Sequence, residues 1–194
     1  NPFYNEVVLS PFQLSPSNAG EYLRIISRFS CRYIHGYPSA ITVLARYLIA
    51  NNLPPPQIKA VLACSENIYS GQRELIEDAF HTRFFSWYGM SEKVVLAGEC
   101  EHSSLYHCFP QYGITQILAK DGTPINEPGV RGEIVGTGFI NWVVPFIRYR
   151  TEDYAEFAEG VCRCGRQFPL IKDVQGLSLI HISEPTRPRL SSYA

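Results

Sequence analysis

Two short blocks carry the residues best suited to chemistry. The first is Tyr88-Gly89-Met90-Ser91-Glu92 and the second is Arg148-Tyr149-Arg150-Thr151-Glu152-Asp153. Each follows an apolar run that reads as a buried strand, Arg83 to Trp87 in one case and Val143 to Ile147 in the other. Each run therefore places a carboxylate just past an expected strand end. Ionised carboxylates accept hydrogen bonds only, and they bind hard cations through oxygen. A pair of them at strand ends suits a site for a polyol or a metal-bound phosphate. Glu92 and Asp153 as simple turn or cap acceptors are the alternative. A third grouping is Cys162-Arg163-Cys164, two soft thiols in a turn with Gly165. Thiolates so placed are good zinc ligands and would need two more. Cys100 and His107 are the candidates, with His102 and Cys108 as substitutes. A redox pair or two free thiols is the competing reading.

These residues need elements to position them. Ser15-Pro16-Ser17 reads as a helix start, and Tyr22, Leu23, Ile25, Ile26 and Phe29 then follow a helical period. Arg32 to Ile34 reads as a strand. Ile41, Leu44, Ala45, Leu48 and Ile49 share a face of a second helix that stops at Pro54-Pro55-Pro56. Ile58 to Ala63 reads as a strand, Gln72 to Phe80 as a helix and Arg83 to Trp87 as a strand. Strand, helix, strand, helix, strand at this spacing predicts right-handed crossovers and a parallel sheet. Ligands bind such sheets at the carboxyl ends of the strands. Cys64-Ser65-Glu66-Asn67 and Tyr88 to Glu92 are expected to face one crevice there. His35 at another strand end is a candidate pocket residue, although a histidine satisfied by its surroundings is the commoner outcome.

From Val94 onward the pattern changes to short strands: Val94 to Leu96, Leu105 to Phe109, Ile114 to Leu118, Gly132 to Val135 and Pro145 to Arg148. Asp121-Gly122 and Pro128-Gly129 mark turns between them. The expected fold is thus α/β, a parallel βαβαβ layer followed by an antiparallel sheet or small distorted barrel. Residues 1–93 form the first subdomain and 94–176 the second. Residues 177–194 break the pattern, with no clean period and two prolines, and read as a non-native tail resembling translated adapter sequence.

Composition narrows the function classes. The 194 residues are 45% hydrophobic and 18% charged with net charge −1, an ordinary globular balance with no electrostatic case for nucleic acid or an anionic membrane. No apolar run approaches the roughly 20 residues that span a bilayer. Asn1-Pro2-Phe3-Tyr4 reads as a cut end. Six cysteines in a chain this rich in apolar residues need no disulfide scaffold, so a reducing, cytoplasmic compartment is expected. Cys31 and Cys64, in apolar strand-like runs, read as core.

From about Val7 to Gly176 the sequence resembles the middle of a phenylacetate–coenzyme A ligase-type protein, an adenylate-forming enzyme. It is most similar to the relatives associated with capsular polysaccharide synthesis. The resemblance is carried by Gly36-Tyr37-Pro38-Ser39, Ile58 to Val61 leading to Ser65-Glu66, and Gln72 to Phe80 before Tyr88-Gly89-Met90-Ser91-Glu92. It continues through Arg131 to Val135, Pro145 to Asp153, and Cys162-Arg163-Cys164-Gly165-Arg166. It implies a site for ATP and a carboxylate substrate. Glu92 would help hold magnesium, Ser91 would approach the phosphate or acyl carboxylate, and Tyr88 and Gly89 would line the adenine and acyl pockets. Asp153 would accept both ribose hydroxyls, and Ser65 and Glu66 would lie on the adenine side. It also implies a structural zinc on Cys100, His107, Cys162 and Cys164, and coenzyme A as a common acyl acceptor. Where the family has Gly between Thr and Asp, this chain has Glu152. The family's Gly-rich phosphate loop and lysine-bearing C-terminal domain have no counterpart here. The resemblance therefore implies a fragment of a carboxylate-activating enzyme, inactive alone. A non-catalytic nucleotide-binding or zinc-stabilised interaction module is the alternative.

Overall fold

The computed structural model describes residues 5–176; the expected tail at 177–194 lies outside the described residues. Helices α1 (Ala19–Phe29), α2 (Pro38–Ala50) and α3 (Gln72–Phe80) alternate with strands β1 (Tyr33–Gly36), β2 (Ala60–Ala63) and β3 (Phe84–Gly89). The strands β1, β2 and β3 pair in parallel, as the alternation predicts. Six more strands follow: β4 (Leu96–Cys100), β5 (Ser103–Cys108), β6 (Gly113–Leu118), β7 (Arg131–Gly138), β8 (Tyr149–Phe157) and β9 (Leu170–Gln175). The order is β1-β2-β3-β4-β5-β9-β8-β7-β6, one mixed sheet of nine strands. The antiparallel part joins the parallel part edge to edge, because β4 pairs antiparallel with β3.

Two apolar cores result. The first packs Leu23 and Ile26 of α1, Ile41, Leu44 and Leu48 of α2, and Ile76 and Phe80 of α3 against Ile34, Val61 and Phe84 of the parallel strands. Full burial of each such side chain is worth about 1.5–3 kcal/mol. The second holds Val94, Val95, Ala97, Ile117, Ile134, Ala155 and Ile171 inside the antiparallel part. Arg73 of α3 links helix to sheet. It donates to the Phe84 carbonyl at 2.8 Å and pairs with the Glu99 carboxylate on β4. Burial raises the Glu99 pKa, and the Arg73 guanidinium opposes that shift.

Several expectations differ from this structure. α1 starts at Ala19, after Asn18, because the Asn18 side chain accepts from Ser15 N at 2.8 Å and closes a turn over Ser15–Asn18. Ile49 is exposed rather than part of the α2 face. Val94 and Val95 are fully buried but precede β4, which starts at Leu96. The apolar run before the second carboxylate block is not a strand. Trp142 and Val143 are 86% and 91% exposed, Pro145 lacks an N–H for any ladder, and Val144 N closes a turn on Asn141 Oδ1 at 3.1 Å. β8 begins only at Tyr149, so Asp153 lies within the strand rather than past its end. β9 has no counterpart in the sequence reading. Its Leu170, Ile171 and Val174 are the apolar signal that pointed to it.

The antiparallel part curls until its far strands meet the segment before β4. Glycines permit the approach. A side chain at Gly136 would fall 2.7 Å from Val95 Cγ2 and 2.9 Å from Val94 Cβ. At Gly113 a Cβ would meet two carbonyl oxygens, Thr137 O at 2.5 Å and Val94 O at 2.6 Å. Thr137 is on β7 and Val94 is fully buried, so neither carbonyl has room to yield. Gly113→Ala is therefore expected to cost about 1–3 kcal/mol. That lowers the thermal midpoint by roughly 2–4 °C per kcal/mol in a chain of this size. An unchanged melting curve would mean that the curl does not need this glycine.

Candidate functional site

β3 ends at Gly89, and Lys93 N then closes a turn on Met90 O at 3.1 Å, which sets Ser91 and Glu92 at its tip. Ser91 is exposed and Glu92 half-buried. The second block sits where the β7–β8 register shifts between Glu133 and Val135: Glu133 pairs with Tyr154, but Val135 pairs with Arg150. The extra residues 151–153 bulge out. Glu133, 4% exposed, holds the bulge by accepting from Glu152 N at 3.2 Å and from Arg150 Nε at 2.8 Å. Thr151 Oγ1 donates to Ile134 O at 2.8 Å and accepts from Asp153 N at 3.1 Å. Glu152 takes φ +61°, left-handed backbone. A glycine would adopt this conformation freely, and Glu152 adopts it at a cost of about 1–2 kcal/mol.

The bulge aims Asp153 at the other block. Tyr88 Oη donates to Asp153 Oδ2 at 2.7 Å, and Tyr149 Oη donates to Glu92 Oε1 at 3.1 Å. Each carboxylate is held by the tyrosine of the opposite block. The two blocks, expected from sequence to serve one site, are therefore in direct contact. Burial first, and then the bond to Asp153, push the Tyr88 hydroxyl far above its ordinary range, so it remains a donor. The bond to Glu92 raises the Tyr149 pKa as well. Phe146 packs edge-on against the Tyr149 ring at 5.1 Å between centroids.

Ser65 and Glu66 lie past the carboxyl end of β2. The Glu66 carboxylate accepts from Ser39 N and Ser39 Oγ, both at 2.9 Å, and so caps the start of α2. Its side chain has this structural task, which leaves backbone groups for any ligand contact. Cys64 is only half-buried, contrary to the core role expected for it. It stands beyond the strand end, where its thiol meets His35. The Cys31 thiol, also half-buried, has its pKa raised chiefly by burial.

The four candidate metal ligands lie close together. Cys100 ends β4, His107 is on β5, and Cys162 and Cys164 are in the loop from β8 to β9. Their four ligand atoms lie within 4.8 Å of one another. Cys100 Sγ is 3.5 Å from Cys162 Sγ, and Cys164 Sγ is 3.3 Å from His107 Nε2. A tetrahedral ion with metal–sulfur bonds of about 2.3 Å spaces its ligands at about this distance. His107 is 1% exposed, and its Nδ1 has no hydrogen-bond partner among the described residues. A backbone hydrogen bond at Arg166 is the main influence lowering the Cys164 thiol to about 6, which favours thiolate. The substitutes do not join the group. Cys108 is buried and its pKa is pushed up to about 12, mainly by burial. His102 touches the Cys100 sulfur through its backbone N–H alone. Donor type, number and spacing all fit zinc in a closed structural site.

With the geometry in hand, comparison with solved structures is decisive for the architecture. The fold is that of coenzyme A ligases. 2-Hydroxyisobutyryl-CoA ligase, solved in an open conformation with 2-HIB-AMP and CoA, superposes over 81% of this chain and 38% of its own, with TM-score 0.70 and 20% identity. A long-chain-fatty-acid–CoA ligase from Archaeoglobus fulgidus superposes over 80% of this chain and 36% of its own, with TM-score 0.60 and 16% identity. In sequence, 153 residues are 24% identical to Protein CapK of Staphylococcus aureus, 78% of this chain and 32% of that protein. This chain thus spans about a third of the length of the relatives it matches. No family model matches it.

Two measurements follow. Purified chain is expected to hold one equivalent of zinc by elemental analysis, with the Cys162→Ser variant holding little and melting lower; a metal content well below stoichiometric removes the site. Glu152→Gly is expected to stabilise the chain by about 0.5–1 kcal/mol in denaturant titration, because it relieves left-handed strain at an exposed position whose carboxylate acts on Tyr149 and Arg150 through charge alone. A destabilised Glu152→Gly chain would mean that the side chain supports the bulge.

Proposed function

We propose that this chain is part of an ATP-dependent carboxylate-activating enzyme of the phenylacetate–CoA ligase type. The reading rests on one observation above all: the crosswise Tyr88–Asp153 and Tyr149–Glu92 bonds, which bring both carboxylate blocks to one place at the carboxyl end of β3. The shared fold with CoA ligases and the similarity to CapK support it. In this reading the substrate carboxylate attacks the α-phosphorus of ATP, an acyl adenylate forms and pyrophosphate leaves. A thiol, coenzyme A by the resemblance, then takes the acyl group.

Each residue has a role set by its chemistry. Asp153 accepts the ribose hydroxyls; its carboxylate is already oriented by Tyr88, so little reorganisation accompanies binding. Tyr88 and Gly89 border the adenine and acyl pockets, and the exposed Gly89 leaves room for close approach. Ser91, at the tip of the turn, meets the phosphate or the acyl carboxylate. Glu92 would hold magnesium, which supplies neutralisation of phosphate charge. The backbone past β2, at Ser65 and Glu66, borders the adenine. The Cys100–His107–Cys162–Cys164 set would hold a structural zinc that ties β4 and β5 to the loop before β9. Four protein ligands leave no open position for chemistry. No helix among the described residues is long and apolar enough to cross a membrane. We place the enzyme in the cytoplasm, and its link to capsular polysaccharide synthesis rests on the resemblance to that branch.

By the resemblance, an enzyme of this type also uses a phosphate loop and a lysine-bearing domain, and this chain spans only about a third of a relative's length. The 194-residue chain is therefore expected to bind AMP weakly but saturably and to release no pyrophosphate with any carboxylic acid. Asp153→Ala should weaken AMP binding by roughly 10–100-fold, the value of hydrogen bonds to a charged group. Titration calorimetry checks both. Equal AMP binding by wild type and Asp153→Ala would sink the reading and favour a zinc-stabilised interaction module.

A further inference from the structure

Cys64 is not where an apolar strand residue should be. β2 ends at Ala63, and Ser65 takes φ +65°, left-handed backbone that a non-glycine residue adopts at a cost. Cys64 stands just past the strand end, half-buried, between Ala63 and this sharp turn. Gly36, the last residue of β1, is the register partner of Ala63, and Ser86 on β3 is its partner on the other side, so Cys64 emerges past the end of β1 and alongside β3, which continues to Gly89. There its Sγ lies 3.6 Å from His35 Nε2. Ser65 Oγ donates to the same sulfur at 3.3 Å. The Trp87 ring, 5.1 Å from the imidazole centroid and tilted by 41°, packs against His35. Glu66, the nearest carboxylate along the chain, is turned away onto Ser39.

A thiol, an imidazole within reach of it and a hydroxyl donating to the sulfur form the arrangement that activates a cysteine nucleophile. The surroundings indicate what it would attack. Cys64 and His35 line a cavity of about 1110 Å³, walled largely by apolar side chains that include Ile26, Phe29, Ile41 and Leu44. An apolar cavity with a thiol at its polar end fits an acyl chain whose carbonyl points at sulfur. Trp87, which packs on His35, immediately precedes Tyr88 of the nucleotide-side block. The thiol is therefore next in the sheet to the place assigned to the adenylate.

We infer that Cys64 is an acyl-accepting nucleophile and His35 its general base, so that the protein takes an acyl group onto its own sulfur from an activated carboxylate. The Cys64 Sγ–carbonyl carbon bond forms, the carbonyl carbon–oxygen bond to the phosphate breaks, the thiol proton passes to His35 Nε2, and AMP leaves with the bonding pair. The product is a thioester on Cys64. The choice of donor rests on the carboxylate-activating reading above.

The test supplies the donor ready-made. The zinc-loaded 194-residue chain is incubated with benzoyl adenylate, and the modified cysteine is located by peptide mapping. The benzoyl group should appear on Cys64, be released by neutral hydroxylamine, and form roughly 10²-fold faster than on Cys31, the low end of what a positioned general base contributes. His35→Gln should bring the Cys64 rate down towards that of Cys31. Cys64→Ser, checked for native near-ultraviolet dichroism, should lose the fast-forming hydroxylamine-sensitive label and keep only the slow one at Cys31. Label spread evenly over Cys31 and Cys64, or a His35→Gln rate equal to wild type, overturns the inference. Because no ATP chemistry is involved, labelling at Cys64 in a chain that fails to bind AMP would uphold the dyad while removing the adenylation reading.

Discussion

Tyr88 and Asp153 belong to strands that β4, β5 and β9 separate in the sheet, yet one donates to the other at 2.7 Å. In a flat sheet, three intervening strands would put them nearly 20 Å apart at about 4.8 Å per step. The nucleotide site proposed for this protein depends on the curl that removes this distance. The curl has a steric basis: Gly113 and Gly136 let β6 and β7 come against Val94 and Val95, at separations any side chain would prevent. Val94 and Val95 are in turn fully buried, so the link from β3 to β4 is clamped between the two halves of the sheet. The turn carrying Glu92 leads directly into that clamped segment.

A second constraint acts on β8. The bulge at 151–153 would be an unstable interruption if its backbone groups were unsatisfied. The buried Glu133 carboxylate and the Thr151 hydroxyl satisfy them. The bulge re-aims Asp153 toward Tyr88, which a regular strand would not do at that register. Farther along the chain, the Cys100–His107–Cys162–Cys164 cluster gathers β4, β5 and the β8–β9 loop. β8 is thus held at its bulge by Glu133 and, beyond its end, by the thiol cluster.

Much of the fold was legible because periodicity reports burial directly. Alternating helix and strand signals up to Trp87 forced a parallel layer, and all three helices formed where the pattern put them, within a few residues. Reading failed where burial and strand pairing part company. Val94 and Val95 are as apolar as any strand, but their burial comes from the curl rather than from pairing. Val143 to Ile147 is apolar and mostly exposed, with Pro145 blocking a ladder. Cys64 reads as core by its neighbours, yet β2 stops at Ala63 and leaves it half-buried beside His35.

Residue type and spacing alone marked out the candidate groups: two carboxylate blocks and a Cys-x-Cys turn. Local chemistry sets those properties, whatever surrounds them. Tertiary structure alone decided which groups meet. Tyrosine hydroxyls pair with carboxylates across the sheet, Glu66 caps a helix begun 28 residues earlier, and Cys64 faces His35 rather than the core. These are contacts between residues far apart in the chain, and their geometry follows from sheet curvature and close packing, which no local pattern encodes.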